Sequence, residues 1–266
     1  MVPAPDHSPR ELLDFYLEAG ADAFVGEDPV NRFAPVEQAA PPPRPARPVL
    51  DSAMPSRVAQ AVAPQAPDEA AIEARAAAKG ATSLEELRPI LEKFNGCALK
   101  ATASQLVFAD GNPKAKVMFV GEAPGRDEDI EGLPFVGRSG KLLDRMLAAI
   151  GLDRTSVYIA NIVPWRPPGN RTPTPQESAI CLPFILRQIE LADPDILVCM
   201  GGPSAQTLLG IKEGITKTRG RWFTFNSGSR EIKAIATFHP AFLLRSPLQK
   251  RFAWRDFLAI KKALNG

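Results

Sequence analysis

The hydrophobic and polar positions divide the chain into stretches of different character. Near the N-terminus, Leu12, Leu13, Tyr16 and Leu17 form an apolar stripe at helical spacing that stops at Gly20. Ser8-Pro9-Arg10-Glu11 precedes it with capping-box spacing and proline at the first helical position. A short amphipathic helix is expected there, either packed on the rest of the chain or docking a protein partner. Residues 34–67 then hold nine prolines among many alanines. Proline cannot donate to a ladder and favours extended geometry, so this stretch is expected to be a disordered linker. Helical sequence resumes at Asp68. Thr82-Ser83-Leu84-Glu85-Glu86 offers two overlapping capping boxes before a helix running toward Phe94. The organisation expected is a helical extension over 1–33, a linker over 34–67 and one folded domain over 68–266.

From Val117 onward, short apolar runs alternate with helical stretches. The runs cover 117–120, 157–162, 196–200 and 232–237; the helical stretches cover 141–150, 175–191, 204–209 and 247–264. Wholly apolar runs of four to six residues suit strands buried on both faces. Strands alternating with helices predict an α/β fold: a three-layer αβα sandwich around a central, mainly parallel sheet of four strands. In such sheets ligands bind beyond the carboxyl ends of the strands. Here those ends carry Gly121-Glu122, Asn161, Gly201-Gly202 and His239-Pro240, so four loops are expected to converge on one site.

Charge sharpens this picture. The net charge of +2 hides an asymmetry: residues 1–81 carry 7 basic and 12 acidic side chains, and 217–262 carry 11 basic and 2 acidic ones. A basic C-terminal third fits a polyanionic partner or a solvated surface. Three widely spaced cysteines, Cys97, Cys181 and Cys199, argue against a secreted disulfide framework. No apolar run is long enough to span a bilayer and no signal segment opens the chain. The expectation is a cytoplasmic protein with no membrane association.

The candidate chemistry lies in the loops. Gly121-Glu122-Ala123-Pro124-Gly125 can cradle an anion with backbone N–H groups, but it matches neither the phosphate-loop nor the dinucleotide fingerprint. Glu122, Asp127, Glu128 and Asp129 form an acidic cluster, yet no second carboxylate group stands at the other strand ends, so no metal site is expected. His239, one of two histidines, precedes Pro240-Ala241-Phe242-Leu243-Leu244-Arg245. Asn161 both donates and accepts, which suits the edge of a base, although asparagine also simply forms turns.

Together, Gly121-Glu122-Ala123-Pro124-Gly125 with Glu128-Asp129 and Pro134-Phe135-Val136-Gly137, Asn161-Ile162-Val163, and His239-Pro240-Ala241-Phe242-Leu243-Leu244-Arg245 resemble the uracil-DNA glycosylase superfamily, nearest its family 4. The resemblance runs from Cys97 to Leu264. It implies a DNA-repair hydrolase that flips uracil out of single- or double-stranded DNA and leaves an abasic site. It also implies roles. Phe135 stacks on the base, Asn161 bonds its edge, and Glu122 and Ala123 contribute through backbone. Glu128 stands where larger ring substituents would clash. His239 donates to the oxygen gaining charge, Leu243 fills the vacated stack, and Arg245 grips phosphate. The association implied is a monomer with the nucleoid. The alternative of a different class is a binder of uracil-containing or abasic DNA without catalysis.

Three departures qualify the resemblance. Family-4 members hold an iron–sulfur cluster on four cysteines; here Cys97 and Cys181 match two positions, while Lys100 and Trp165 stand at the others. Two thiolates cannot complete such a cluster, so no cofactor is expected. Ala123 replaces the water-activating aspartate of the best-known relatives, which leaves Glu122 or the backbone to hold the water. The basic insertion of covalently trapping relatives is missing, and no lysine stands in the motifs to form a Schiff base. A monofunctional enzyme that turns over is expected.

Overall fold

The computed structural model describes residues 67–265; the expected helix at 8–20 and nearly all of the proline-rich stretch lie outside them. In chain order the helices are α1 (Pro67–Gly80), α2 (Leu84–Lys93), α3 (Arg126–Glu131), α4 (Arg138–Ala149), α5 (Pro175–Ala192), α6 (Gly202–Leu209), α7 (Ile215–Thr218), α8 (Pro240–Arg245) and α9 (Lys250–Asn265). The strands are β1 (Asp110–Gly111), β2 (Val117–Gly121), β3 (Tyr158–Asn161), β4 (Ile196–Met200), β5 (Trp222–Asn226) and β6 (Glu231–Thr237). Side chains cap the starts of two of these helices. Ser83 Oγ accepts from Glu86 N at 3.2 Å to start α2, and Thr174 and Glu177 cap α5 reciprocally.

The sheet order is β1-β3-β2-β4-β6-β5. The four expected strands form its parallel centre, β3-β2-β4-β6. The expectation of four strands needs correction to six, because β1 and β5 add antiparallel edges. Neither edge has the apolar run that marks the centre. β1 is two residues long, and along β5 only Phe225 is buried.

Successive residues of the central strands enter different cores, as the period of two requires. Met118, Val120, Leu197 and Cys199 join the cluster that includes residues of α1, α2 and α5. Val117, Phe119, Ile196 and Val198 join the cluster that includes Leu143 and Leu147 of α4 and Phe257 and Ile260 of α9. Both faces are thus covered, giving the expected αβα sandwich. Helices on both faces leave the carboxyl rim of the parallel strands as the place where loops meet. Among the described residues no helix is long and apolar enough to cross a membrane.

Candidate active site

Strand register sets the first contacts. Gly121 at the end of β2 lies opposite Asn161 at the end of β3, and Met200 of β4 lies opposite Thr237 of β6. Four strands therefore deliver Gly121, Asn161, Gly201 and His239 to one rim. At that rim lies a cleft of about 620 Å³ lined by Glu122, Ala123, Glu128, Phe135, Asn161 and His239 among others. Of the eight residues singled out from the sequence, these six and Arg245 line it; Leu243 does not.

Gly121 is where Asn161 and Phe135 close together. A Cβ on Gly121 would stand 2.4 Å from Asn161 Oδ1 and 2.7 Å from Phe135 Cζ. Only a bare α-carbon lets both groups approach. Asn161 is buried, and its Oδ1 has no hydrogen-bond partner within the protein. A buried amide oxygen without a partner costs free energy, so this atom is a ready acceptor for a donor entering the cleft. Glu122 Oε1 is likewise buried and unpartnered, and burial raises the Glu122 carboxyl above its ordinary value.

Phe135 adopts φ 56°, a left-handed conformation uncommon for a residue with a side chain. Its ring lies 5.3 Å from the His239 ring, tilted by 32°. Glu128 explains part of how this loop holds. Its Oε1 accepts from Val136 N at 3.1 Å and Gly137 N at 3.0 Å, and its Oε2 accepts from Gly125 N at 3.1 Å. The buried carboxylate thus ties the start of α3 to the segment following Phe135. Its backbone partners leave no trace in a side-chain pattern. The neighbouring Asp129 is structural in the same sense, accepting from Ser104 N at 2.8 Å.

His239 is fixed by its own turn. Its Nδ1 accepts from Ala241 N at 3.1 Å, where it caps α8. An imidazole that accepts at Nδ1 carries its proton at Nε2, so the neutral ring is a donor. Burial, reinforced by the Arg245 charge, lowers the His239 pKa to about 4. Protonation would also place an N–H against the Ala241 N–H. The end of β6 is anchored just before His239: Thr237 Oγ1 donates to Asp256 Oδ2 at 2.8 Å, and Arg219 Nε donates to the same oxygen at 2.9 Å. Gly201, at φ 95°, leaves room for the ring, since a Cβ there would lie 3.1 Å from His239 Cβ.

Leu243 is placed differently from the motif residues that line the cleft. It is 1% exposed and packs in a small core with Phe238 and Ala253. The reason is helical. α8 docks by one face, and adjacent residues on a helix point about 100° apart. Leu244, at 37% exposed, is the one turned outward. Arg245 is exposed at the mouth of the cleft. Arg171 also lines the cleft, with its guanidinium donating to both oxygens of Glu177 at 2.8 and 2.7 Å. In the sequence its only signal was a basic side chain in the loop after Asn161.

The positions where a cluster would sit do not fit one. Cys97 and Cys181 have their sulfurs 3.8 Å apart and are both buried. The hydrogen bond with the Cys97 sulfur, and then burial, keep the Cys181 thiol well above its ordinary pKa. Lys100 turns its ammonium onto the end of α2, donating to Phe94 O at 3.0 Å and Asn95 Oδ1 at 2.8 Å. Trp165 is fully buried in the same core as both thiols. The third cysteine, Cys199, lies within β4. These residues offer two thiols where four thiolates are needed.

Comparison with known proteins agrees with this geometry. Residues 108–258 match the model of the uracil DNA glycosylase superfamily. The chain is 40% identical over 182 residues to a type-4 uracil-DNA glycosylase of Archaeoglobus fulgidus, covering 67% of this chain and 92% of that protein. It is 44% identical over 167 residues to the type-4 uracil-DNA glycosylase of Thermotoga maritima, covering 61% and 85%. To that of Saccharolobus solfataricus it is 40% identical over 188 residues, covering 69% and 87%. With the site assembled on the carboxyl rim, the family model matching residues 108–258 and these relatives matching about two thirds of the chain, the chain belongs to the uracil-DNA glycosylase superfamily, in its type-4 branch.

Proposed function

We propose that this protein removes uracil from DNA by hydrolysing the N-glycosidic bond, leaving an abasic site. The observation that carries the reading is the neutral His239, held with Nε2 as donor at a cleft that also presents an unpartnered Asn161 Oδ1 and the Phe135 ring. Breaking this bond leaves positive charge on the sugar and negative charge on the departing base. A fixed donor at the base oxygen stabilises that charge more effectively than a strong nucleophile would. His239 Nε2–H fills this role without releasing its proton. Asn161 Oδ1 accepts from the ring N–H of uracil, and its amide NH₂ donates to the adjacent carbonyl oxygen. This pairing rejects cytosine, whose edge has the opposite order of donors and acceptors.

Extrusion of the base needs an aromatic surface inside and an apolar group left in the duplex. Phe135 serves as the surface. Leu244, on the outer face of α8, is assigned the second task in place of Leu243. Glu128, locked by three backbone N–H groups, cannot swing aside to admit a bulkier ring, which gives it a selective role along with its structural one. Glu122, with its raised pKa and unpartnered oxygen, is the group that holds the attacking water; Ala123 leaves space beside it. Arg245 at the cleft binds phosphate, and the basic C-terminal third adds sequence-independent affinity. No lysine lines the cleft among the described residues, so the enzyme is monofunctional.

The same reading is of a protein that works without an iron–sulfur cluster, as a monomer in the cytoplasm with the nucleoid, on single- or double-stranded DNA. Two assays test it. Incubation with a uracil-containing oligonucleotide followed by alkali should cleave the strand at uracil; no cleavage above a thymine control rejects catalysis and leaves only the binder. Anaerobically purified protein should lack an iron-type absorption band and bound sulfide, and finding both would reject the cluster-free reading.

A further inference from the structure

We propose that Arg154, a residue outside both motifs, positions the Phe135 ring by gripping the main chain on which it stands. Arg154 lies in the loop between α4 and β3 and does not line the cleft. Its guanidinium nevertheless reaches back to the Phe135 loop. Nη1 donates to Pro134 O at 3.1 Å, and Nη2 donates to Phe135 O. Two carboxylates aim the group: Nε donates to Asp144 Oδ1 at 2.8 Å and Nη1 to Asp110 Oδ2 at 2.5 Å. Asp144 belongs to α4, and Asp110 belongs to β1, which pairs with β3. The fork therefore ties the loop to a helix and to the sheet edge at once.

This grip is complementary to the one made by Glu128. Arg154 takes the carbonyls of Pro134 and Phe135, while Glu128 takes the N–H groups of Val136 and Gly137. Phe135 sits between the two at φ 56°. Relaxing to an ordinary negative φ would turn the adjoining peptides and remove partners from both clamps. Gly140 completes the arrangement, because a Cβ there would lie 1.6 Å from Phe135 O and would displace the carbonyl that Arg154 holds. A planar guanidinium can serve two carbonyls and two carboxylates at once; an ammonium cannot. Arg154 touches neither the cleft nor the reacting atoms, so it acts through Phe135. The inference rests on reading Phe135 as the surface for uracil.

A double-mutant cycle in the full-length protein tests it. Single-turnover uracil excision is measured for wild type, Arg154→Met, Phe135→Ala and the double variant, with inhibition by free uracil and affinity for an abasic oligonucleotide alongside. Arg154→Met is expected to slow excision about 10–100-fold, as misplacement of a positioning group does. It should also weaken inhibition by uracil while leaving abasic-DNA affinity unchanged. In the Phe135→Ala background the same substitution should change the rate less than about twofold, since coupled residues are not additive. Arg154→Lys should recover little. An equal loss in both backgrounds, or no loss in wild type, overturns the proposal. A normal rate for Phe135→Ala alone instead removes Phe135 as the platform and the proposal with it. If Arg154→Met fails to fold, Asp144→Asn carries the same cycle: slower excision only with Phe135 present supports the inference, and no change in either background overturns it.

Discussion

Replacing Gly121 by alanine puts one methyl group at the point where the base-reading groups meet. Ordinary contact begins near 3.4 Å, whereas the added Cβ would stand 2.4 Å from Asn161 Oδ1 and 2.7 Å from Phe135 Cζ. Asn161 must therefore retreat by about 1 Å, and Phe135 by somewhat less, if the methyl is to fit. Neither has an easy route. Asn161 ends a strand buried throughout, and the peptide groups flanking Phe135 are held by Glu128 and Arg154. Gly121 is not in the left-handed region, so alanine is compatible with its backbone and the effect is one of contact alone. A misplacement of 1 Å at a reacting centre costs about 100-fold in rate, or about 2.7 kcal/mol of transition-state stabilisation. The assay is single-turnover release of uracil from a labelled oligonucleotide, with the thermal midpoint recorded to confirm folding. We expect a loss of about 100-fold with free uracil binding weakened in parallel. A folded Gly121→Ala enzyme within threefold of the wild-type rate would refute the claim that Asn161 and Phe135 meet over this α-carbon.

Two further outcomes follow from the same geometry. His239 has a folded-state pKa of about 4, below its ordinary 6.5, so the unfolded chain takes up a proton first as pH falls. The associated stability is fully present above pH 6.5 and is lost between 6.5 and about 4, by up to about 3 kcal/mol. The titration of the His239 ring itself, followed by NMR of its imidazole signals, should accordingly have its midpoint near 4, and a midpoint at 6.5 would contradict a buried neutral imidazole. Leu243→Ala should cost about 2–5 kcal/mol in a denaturant titration, because it empties a core position. Leu244→Ala should leave stability nearly unchanged but slow excision from duplex more than from single-stranded DNA, and the reverse pattern would restore Leu243 as the inserted residue.

The sequence made the scaffold legible where burial was extreme. Val117 to Gly121 and Ile196 to Met200 are strands buried at every position, and such runs need no neighbours to be recognised. The edge strand β5 was missed because a strand covered on one side carries no such run. The site was legible where residue type restricts use: His239 and Phe135 reach one cleft from two separate loops, and Asn161 from the end of β3. What stayed hidden depended on orientation. Leu243 and Leu244 differ only in the face of a six-residue helix they occupy. The positive φ of Phe135 and the clamps of Glu128 and Arg154 depend on backbone atoms that every residue possesses, so composition gives no hint of them.

The central claim is that a neutral His239 donor, facing a base held by Asn161 and Phe135, drives uracil excision from DNA. It is tested most directly by measuring single-turnover uracil release with wild-type protein and with His239→Ala. The account predicts release by the wild type and a loss of about 10²–10³-fold in the variant, the effect of removing one donor at a site of developing negative charge. A folded His239→Ala protein that releases uracil at a near-normal rate would contradict it.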